Sequence, residues 1–201
     1  MTSRRDSDAV AFGVSAAHTS TPRDGPLELD PCGIVHLVVA ERETEAVRRL
    51  LAEADRLERP VEIVGCTPHD DAPGINAGLS ARAEAAAQQV AVRLSGASVG
   101  LRLYVSGSES FVRRVVSRAS GMGVSNSELR TEVHGSPLRR VRCVHCKAIT
   151  EDVGASLAHC DGCGLTLVVY HHYSRRHAAW MGFQADAEVA GELPEVPARW
   201  P

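Results

Sequence analysis

The chain has 201 residues, 44% of them hydrophobic and only 4% aromatic, and a formal net charge of −3. That length makes one ordinary domain, or a small domain with an added module. The charge argues against a general nucleic-acid binder, and no apolar run reaches the roughly 18 residues of a membrane-spanning helix.

Residues 1–31 are rich in Ser, Thr, Arg, Asp and Pro. They lack the apolar stretch of a signal peptide and read as a disordered tail. Ile34 to Val39 is a short apolar run, the pattern of a buried parallel strand. Thr44 can cap a helix that carries Val47, Leu50, Leu51, Ala54 and Leu57 on one face, and Pro60 ends it. Residues 61–65 form a second strand, and 67–78 a loop. The Ala-rich stretch 79–95 makes a helix with Ala83, Ala86, Val90 and Leu94 inward. Residues 101–105 are a third strand. Ser108 then caps a helix with Val112, Val115, Val116 and Ala119 as its stripe, and Gly121 closes it. Residues 129–134 are a last strand. Strands alternating with helices over 32–135 predict an α/β fold, a small Rossmann-like parallel sheet with covering helices. Gly135-Ser136-Pro137 reads as a linker to a module at 136–183, and 184–201 as a loose acidic, proline-rich tail.

That module holds the strongest chemical signal. Cys143-Val144-His145-Cys146 is followed, thirteen residues on, by Cys160-Asp161-Gly162-Cys163. Each CxxC turn points two thiolates at one centre, and four soft thiolates suit a structural Zn²⁺ ion. A zinc ribbon also answers the stability problem of a roughly 40-residue segment with little core. A rubredoxin-like iron centre uses the same ligands, and a dithiol pair or two disulfides are further alternatives. His145 and His159 sit beside the cysteines and read as neighbours rather than ligands. Four of six cysteines fall in this motif, with Cys32 and Cys66 far away, which is the usage of a reducing, cytoplasmic compartment.

After a strand at 165–170 comes His171-His172-Tyr173-Ser174-Arg175-Arg176-His177, then Trp180-Met181-Gly182. Such groups stack and donate paired hydrogen bonds at interfaces, which makes His172, Tyr173, Arg175, Arg176 and Trp180 candidate partner contacts. The alternative is a solvated basic turn in which Tyr173 and Trp180 cover the metal knuckle. Residues 136–183 carry six basic side chains against three acidic ones. That excess points to an anionic partner, either protein or, as an alternative function, nucleic acid.

Two family resemblances attach to these motifs. Leu103 to Phe111, Gly121 to Val124 and Arg130 to Gly135 resemble the C-terminal part of the NAD(P)-binding domain of the ferredoxin reductase family. The glycine-rich turn that this family places after the first strand is here Ala40-Glu41-Arg42-Glu43-Thr44. It has no glycine and two carboxylates, which predicts poor NAD(P) binding. The four cysteines, His172-Tyr173-Ser174-Arg175-Arg176 and Trp180-Met181-Gly182 resemble the small subunit of the bacterial dimethylamine monooxygenase family. That resemblance implies a non-catalytic subunit of a multi-subunit, NADPH- and O₂-dependent oxidative N-demethylase. Haem, FMN, iron–sulfur clusters and NADPH would sit on the catalytic and reductase partner subunits. A third reading makes the four-cysteine site an iron electron carrier.

Overall fold

The computed structural model of the protein describes residues 20–65, 76–96, 99–135 and 137–198. The chain divides into two compact units, Arg23–Leu138 and the pair of segments Met1–Pro22 and Arg139–Pro201. No helix among the described residues is long and apolar enough to cross a membrane.

The first unit alternates strand and helix as the pattern predicts. Its elements are β1 (Val35–Ala40), α1 (Glu45–Arg56), β2 (Val61–Val64), α2 (Asn76–Leu94), β3 (Leu101–Gly107), α3 (Glu109–Gly121) and β4 (Leu129–Val133). All strand pairs are parallel, in the order β2-β1-β3-β4. β1 is almost wholly apolar because both of its faces are covered. Leu37 and Val39 face one core with Leu103, Val105, Val90, Phe111 and Val115. Val38, Ala40 and Tyr104 face the other, against Val47, Leu50 and Ala54 of α1. Thr44 caps α1 as expected, its Oγ accepting from the Val47 N–H at 3.3 Å. Leu57 was expected inward but is 39% exposed, because it lies at the helix C-cap beyond the last inward turn. α2 begins at Asn76, inside the stretch expected as loop, whose remainder lies outside the described residues, as does Cys66.

Residues 20–31 depart from the expected tail. Leu27 and Leu29 are 1% and 7% exposed and complete the core on the α1 side of the sheet. The strap is tied down by backbone and charge. The Gly25 N–H donates to the Thr131 carbonyl at 2.9 Å. The Asp30 N–H donates to the Tyr104 hydroxyl at 2.9 Å, and Arg113 forms a two-point pair with Asp24. Among the described residues α1 is the helix that packs on this face, and two leucines from the strap finish what a second helix covers on the other. Residues 1–19 lie outside the described residues.

The second unit is a five-stranded sheet in the order β6-β5-β9-β8-β7. Its strands are β5 (Arg139–Cys143), β6 (Ile149–Val153), β7 (Leu157–His159), β8 (Thr166–Ser174) and β9 (Ala179–Gln184). β5 and β9 run parallel and the other pairs antiparallel. β8 extends to Ser174, past the strand end expected at 170. His171, His172 and Tyr173 therefore lie on a strand, and the turn begins only at Arg175. The register with β9 shifts between Val169 and Tyr173. The acidic C-terminal stretch is not loose where it is described. The Ala185 N–H donates to the Thr166 carbonyl at 2.8 Å, and the Ala198 carbonyl accepts from the Ser156 N–H at 3.2 Å.

Candidate metal centre and strand-end crevice

The two CxxC segments fold as near copies. The Lys147 N–H donates to the Cys143 carbonyl at 3.1 Å, and the Gly164 N–H to the Cys160 carbonyl at 2.9 Å. The return bonds match as well. Cys143 N–H donates to the Ala148 carbonyl and Cys160 N–H to the Leu165 carbonyl, both at 2.9 Å. Each knuckle closes on a left-handed residue, Lys147 at φ 69° and Gly164 at φ 71°. Gly162 is required by space rather than conformation. A Cβ there would sit 2.5 Å from the Ala148 Cβ and 3.0 Å from the Cys146 Sγ.

The four sulfurs of Cys143, Cys146, Cys160 and Cys163 lie within 4.8 Å of one another. Cys143 and Cys163 are 3.9 Å apart, and Cys146 and Cys160 3.5 Å. A tetrahedron with metal–sulfur bonds of about 2.3 Å has edges of about 3.8 Å, so the donor set fits a four-thiolate ion and the cluster fits a zinc ribbon. Burial pushes the Cys160 thiol up, but the backbone N–H groups of Cys163 and Gly162 outweigh it and bring the group down to about 7. The Leu165 N–H favours the Cys163 thiolate, yet burial and the adjoining sulfurs push that thiol up to about 12. Sulfurs this close resist sharing negative charge, and a dication at their centre removes that conflict.

The candidate interface residues separate into two groups. Arg175, Arg176 and His172 are exposed. Tyr173 and Trp180 are 5% and 3% exposed and belong to the core that includes Cys143 and Cys160. Their expected role as partner contacts is therefore corrected. The rings meet edge to face at 5.4 Å, and the Arg139 guanidinium lies 4.0 Å over the Trp180 ring. Arg140 was read only as charge. Its Nε donates to both Glu151 oxygens, at 3.0 and 2.9 Å, and its Nη1 donates to the His177 and Ala178 carbonyls, each at 3.1 Å. Arg140 thus holds the turn that carries Arg175 and Arg176. Of the basic groups counted from the sequence, Arg139, Arg140 and Lys147, whose Nζ donates to the Val144 carbonyl, are engaged inside the unit.

In the α/β unit the strand order reverses between β1 and β3, where doubly wound sheets hold ligands at the strand ends. Glu41 follows β1 directly and is 4% exposed. Its carboxylate accepts from the Ser108 N–H at 2.7 Å and from the Ser108 hydroxyl at 3.1 Å. It sits at the N-terminus of α3, where a phosphate would otherwise be attracted. Ser108 occupies the N-cap, but its side chain makes no cap bond. A Cβ at Gly107 would meet the Glu41 side chain at 2.9 Å. Glu43 plays no part here, being exposed and 3.4 Å from Arg48. Beside Glu41, the Ser106 hydroxyl lies 2.7 Å from His134 Nε2 and 3.5 Å from the Thr44 Oγ. Burial holds the His134 imidazole below its ordinary range. Residues 106 and 134 stood inside the stretches singled out from the sequence, but only the fold joins them.

A Rossmann-like α/β unit with a compact four-cysteine module defines the class of protein. Residues 17–129 match the family described as "Dimethylamine monooxygenase subunit DmmA-like, N-terminal domain", and residues 140–183 match its C-terminal domain. The chain belongs to this DmmA-like family. It is 36% identical over 95 residues to the "Heme-dependent oxidative N-demethylase delta subunit" of Ectopseudomonas mendocina (strain ymp). That alignment covers 47% of this chain and 54% of the relative, so the chain spans about half the length of the curated protein it matches. No solved structure matches.

Proposed function

We propose that this chain is a non-catalytic subunit of a multi-subunit, NADPH- and O₂-dependent oxidative N-demethylase acting on dimethylamine or a similar methylated amine. Its work is assembly. Haem, FMN, iron–sulfur clusters and NADPH belong to catalytic and reductase partners, and the complex is cytoplasmic. Family membership motivates the assignment, and one observation carries the scaffold role. The strand-end position at which a nucleotide phosphate would bind is filled by the buried Glu41 carboxylate of the chain itself. A carboxylate in that place repels phosphate and closes the crevice.

Cys143, Cys146, Cys160 and Cys163 are the metal ligands in this reading. Zinc supplies no redox chemistry; bound by four thiolates it locks the two knuckles together. The fixed module then presents His172, Arg175 and Arg176, with Arg140 setting the pose of their turn. Paired guanidinium groups suit a carboxylate-bearing face on a partner subunit.

The test is affinity purification of the tagged chain from its native cells. Retention of a haem protein and a flavin/iron–sulfur reductase supports the reading. Retention of polymerase, ribosomal or nucleic-acid material overturns it. Arg175→Ala with Arg176→Ala should weaken assembly and leave metal content intact; unchanged assembly removes the interface claim. The iron alternative is decided by colour, since ferric thiolate absorbs visible light and zinc thiolate does not.

A further inference from the structure

The second unit carries a surface of the opposite sign. From Phe183 to Ala198 the chain holds Asp186, Glu188, Glu192 and Glu195 and no Lys or Arg. This segment leaves β9 and lines a groove of about 1020 Å³ together with the outer parts of β8 and β9. Tyr170 and Phe183 line it with their rings edge to face at 4.9 Å. Val189, Leu193 and Pro194 line it as well. Phe183, Val189 and Leu193 are 39%, 57% and 50% exposed, a cluster of large apolar side chains left in water. Such a patch with a polar rim is the usual mark of a docking surface.

The rim is acidic. Glu188, Glu192 and Glu195 all line the groove, and none of them forms an ion pair among the described residues. The shape of the segment is internally fixed. Asp186 accepts from the Gln184 side-chain amide at 2.9 Å and from the Gly191 N–H at 3.0 Å, and the Glu192 N–H donates to the Val189 carbonyl at 3.0 Å. Asp186 is therefore engaged in holding the segment, which leaves the three glutamates for an occupant.

We propose that this groove docks a cationic amphipathic segment of a partner protein. An apolar side chain enters between Phe183 and Leu193, and flanking Arg or Lys groups face Glu188, Glu192 and Glu195. Charge complementarity selects this occupant. Nucleic acid and anionic lipid are repelled by the same carboxylates. A small ion would leave most of the volume empty, whereas a turn of helix or a short extended segment fills it. A second copy of the chain offers Arg175 and Arg176, but its turn lacks the apolar anchor, since Ala178 is buried. The proposal stands independently of the N-demethylase reading, because it rests on shape and charge alone.

The experiment uses the full-length chain and three labelled peptides followed by fluorescence anisotropy. One is an amphipathic helix of Leu and Lys, one has Glu for every Lys, and one has Ser for every Leu. The Leu/Lys peptide should bind saturably at about 50 mM salt and weaken several-fold by about 300 mM. The Glu peptide should not bind, and the Ser peptide should bind at least roughly tenfold more weakly, having lost its anchor. Glu188→Gln with Glu192→Gln and Glu195→Gln should weaken the Leu/Lys peptide by a similar factor and flatten its salt dependence. Leu193→Ser should weaken it at both salt concentrations. Any of three results overturns the proposal: no saturable binding, equal binding of the Ser peptide, or binding unchanged in the triple variant. Self-association of the chain that the triple variant abolishes would also overturn it, in favour of a second copy as occupant.

Discussion

Glu41→Ala is the most informative single change in the α/β unit. The wild-type carboxylate accepts two hydrogen bonds from Ser108, at 2.7 and 3.1 Å, and both residues are buried. Hydrogen bonds to a charged acceptor contribute about 1.5–3 kcal/mol each, and a buried donor left without a partner costs about as much again. Water entering the vacated space recovers part of that. The expected loss is about 3 kcal/mol, equivalent to a fall in Tm of roughly 10 °C for a unit of this size. Glu41→Gln keeps the side-chain shape and one acceptor oxygen, so its loss should be about 1 kcal/mol. The readout separates the two units. Every helix among the described residues lies between Glu45 and Gly121, so the far-UV helical signal reports the α/β unit. In a Trp200→Phe background, tryptophan fluorescence comes from Trp180 alone and reports the metal module. In urea, Glu41→Ala should shift the helical transition and leave the Trp180 transition in place. A change below about 0.5 kcal/mol in the helical transition would refute the claim that this carboxylate fastens β1 to α3. Titrating wild type with NADPH completes the case, because a saturable response would mean that Glu41 moves aside for phosphate.

Chelation of the metal, or Cys160→Ser, should unfold the Trp180 unit, since four-thiolate binding supplies on the order of 10 kcal/mol of folding energy; metal content and Trp180 fluorescence should fall together while the helical signal remains. Gly162→Ala should lower metal affinity at least roughly tenfold, because its methyl group meets Ala148 and the Cys146 Sγ; competition with a chromogenic chelator measures it, and wild-type affinity would show that the knuckle yields. Arg140→Lys should cost about 2 kcal/mol in the same unit, because an ammonium cannot reach Glu151 and two carbonyls as the guanidinium does; an unshifted Trp180 transition in urea would count against it. Burial holds the His36 imidazole below its ordinary value of 6.5, so the unfolded chain takes up a proton before the folded one. The stability this group contributes is complete above about pH 6.5 and is lost as the pH falls toward the folded-state value. His36→Gln should therefore flatten the decline in urea midpoint between about pH 7 and 5.5, and an unchanged slope would exclude His36 as its source.

Local rules carried the α/β unit a long way because most of its signals are local. The β1 apolar run, the Thr44 cap and the inward stripes of α1 and α3 each lie within a dozen residues, and each element formed where its pattern placed it. The strap at 20–31 was not legible in the same way. Its composition is that of a tail, and Leu27 and Leu29 become core because, among the described residues, one face of the sheet has a single helix to cover it. No property of residues 20–31 alone contains that fact. The four-cysteine cluster was legible in the cysteine spacing, since each CxxC turn is local and the fold brings the four sulfurs within 4.8 Å of one another.

The basic hairpin shows where composition misleads. Tyr173, Arg175, Arg176 and Trp180 form one dense cluster in sequence, but the strands send Tyr173 and Trp180 into the core, while Arg175 and Arg176 lie on the turn between them and are exposed. Reading β8 to Ser174 rather than 170 would have exposed that split, because His172 and Tyr173 must then point to opposite faces. Glu41 is the converse case. From the sequence, its place after the first strand suggests an effect on phosphate through charge alone, as repulsion. The stronger reason needed the fold: parallel pairing of β1 with β3 sets Ser106 opposite Ala40, which brings Ser108 and the start of α3 to Glu41. A carboxylate that only repelled phosphate could be overcome by a tightly bound nucleotide. One that already satisfies the helix N-terminus must first be displaced, which makes the closed crevice a property of the folded unit rather than of its charge.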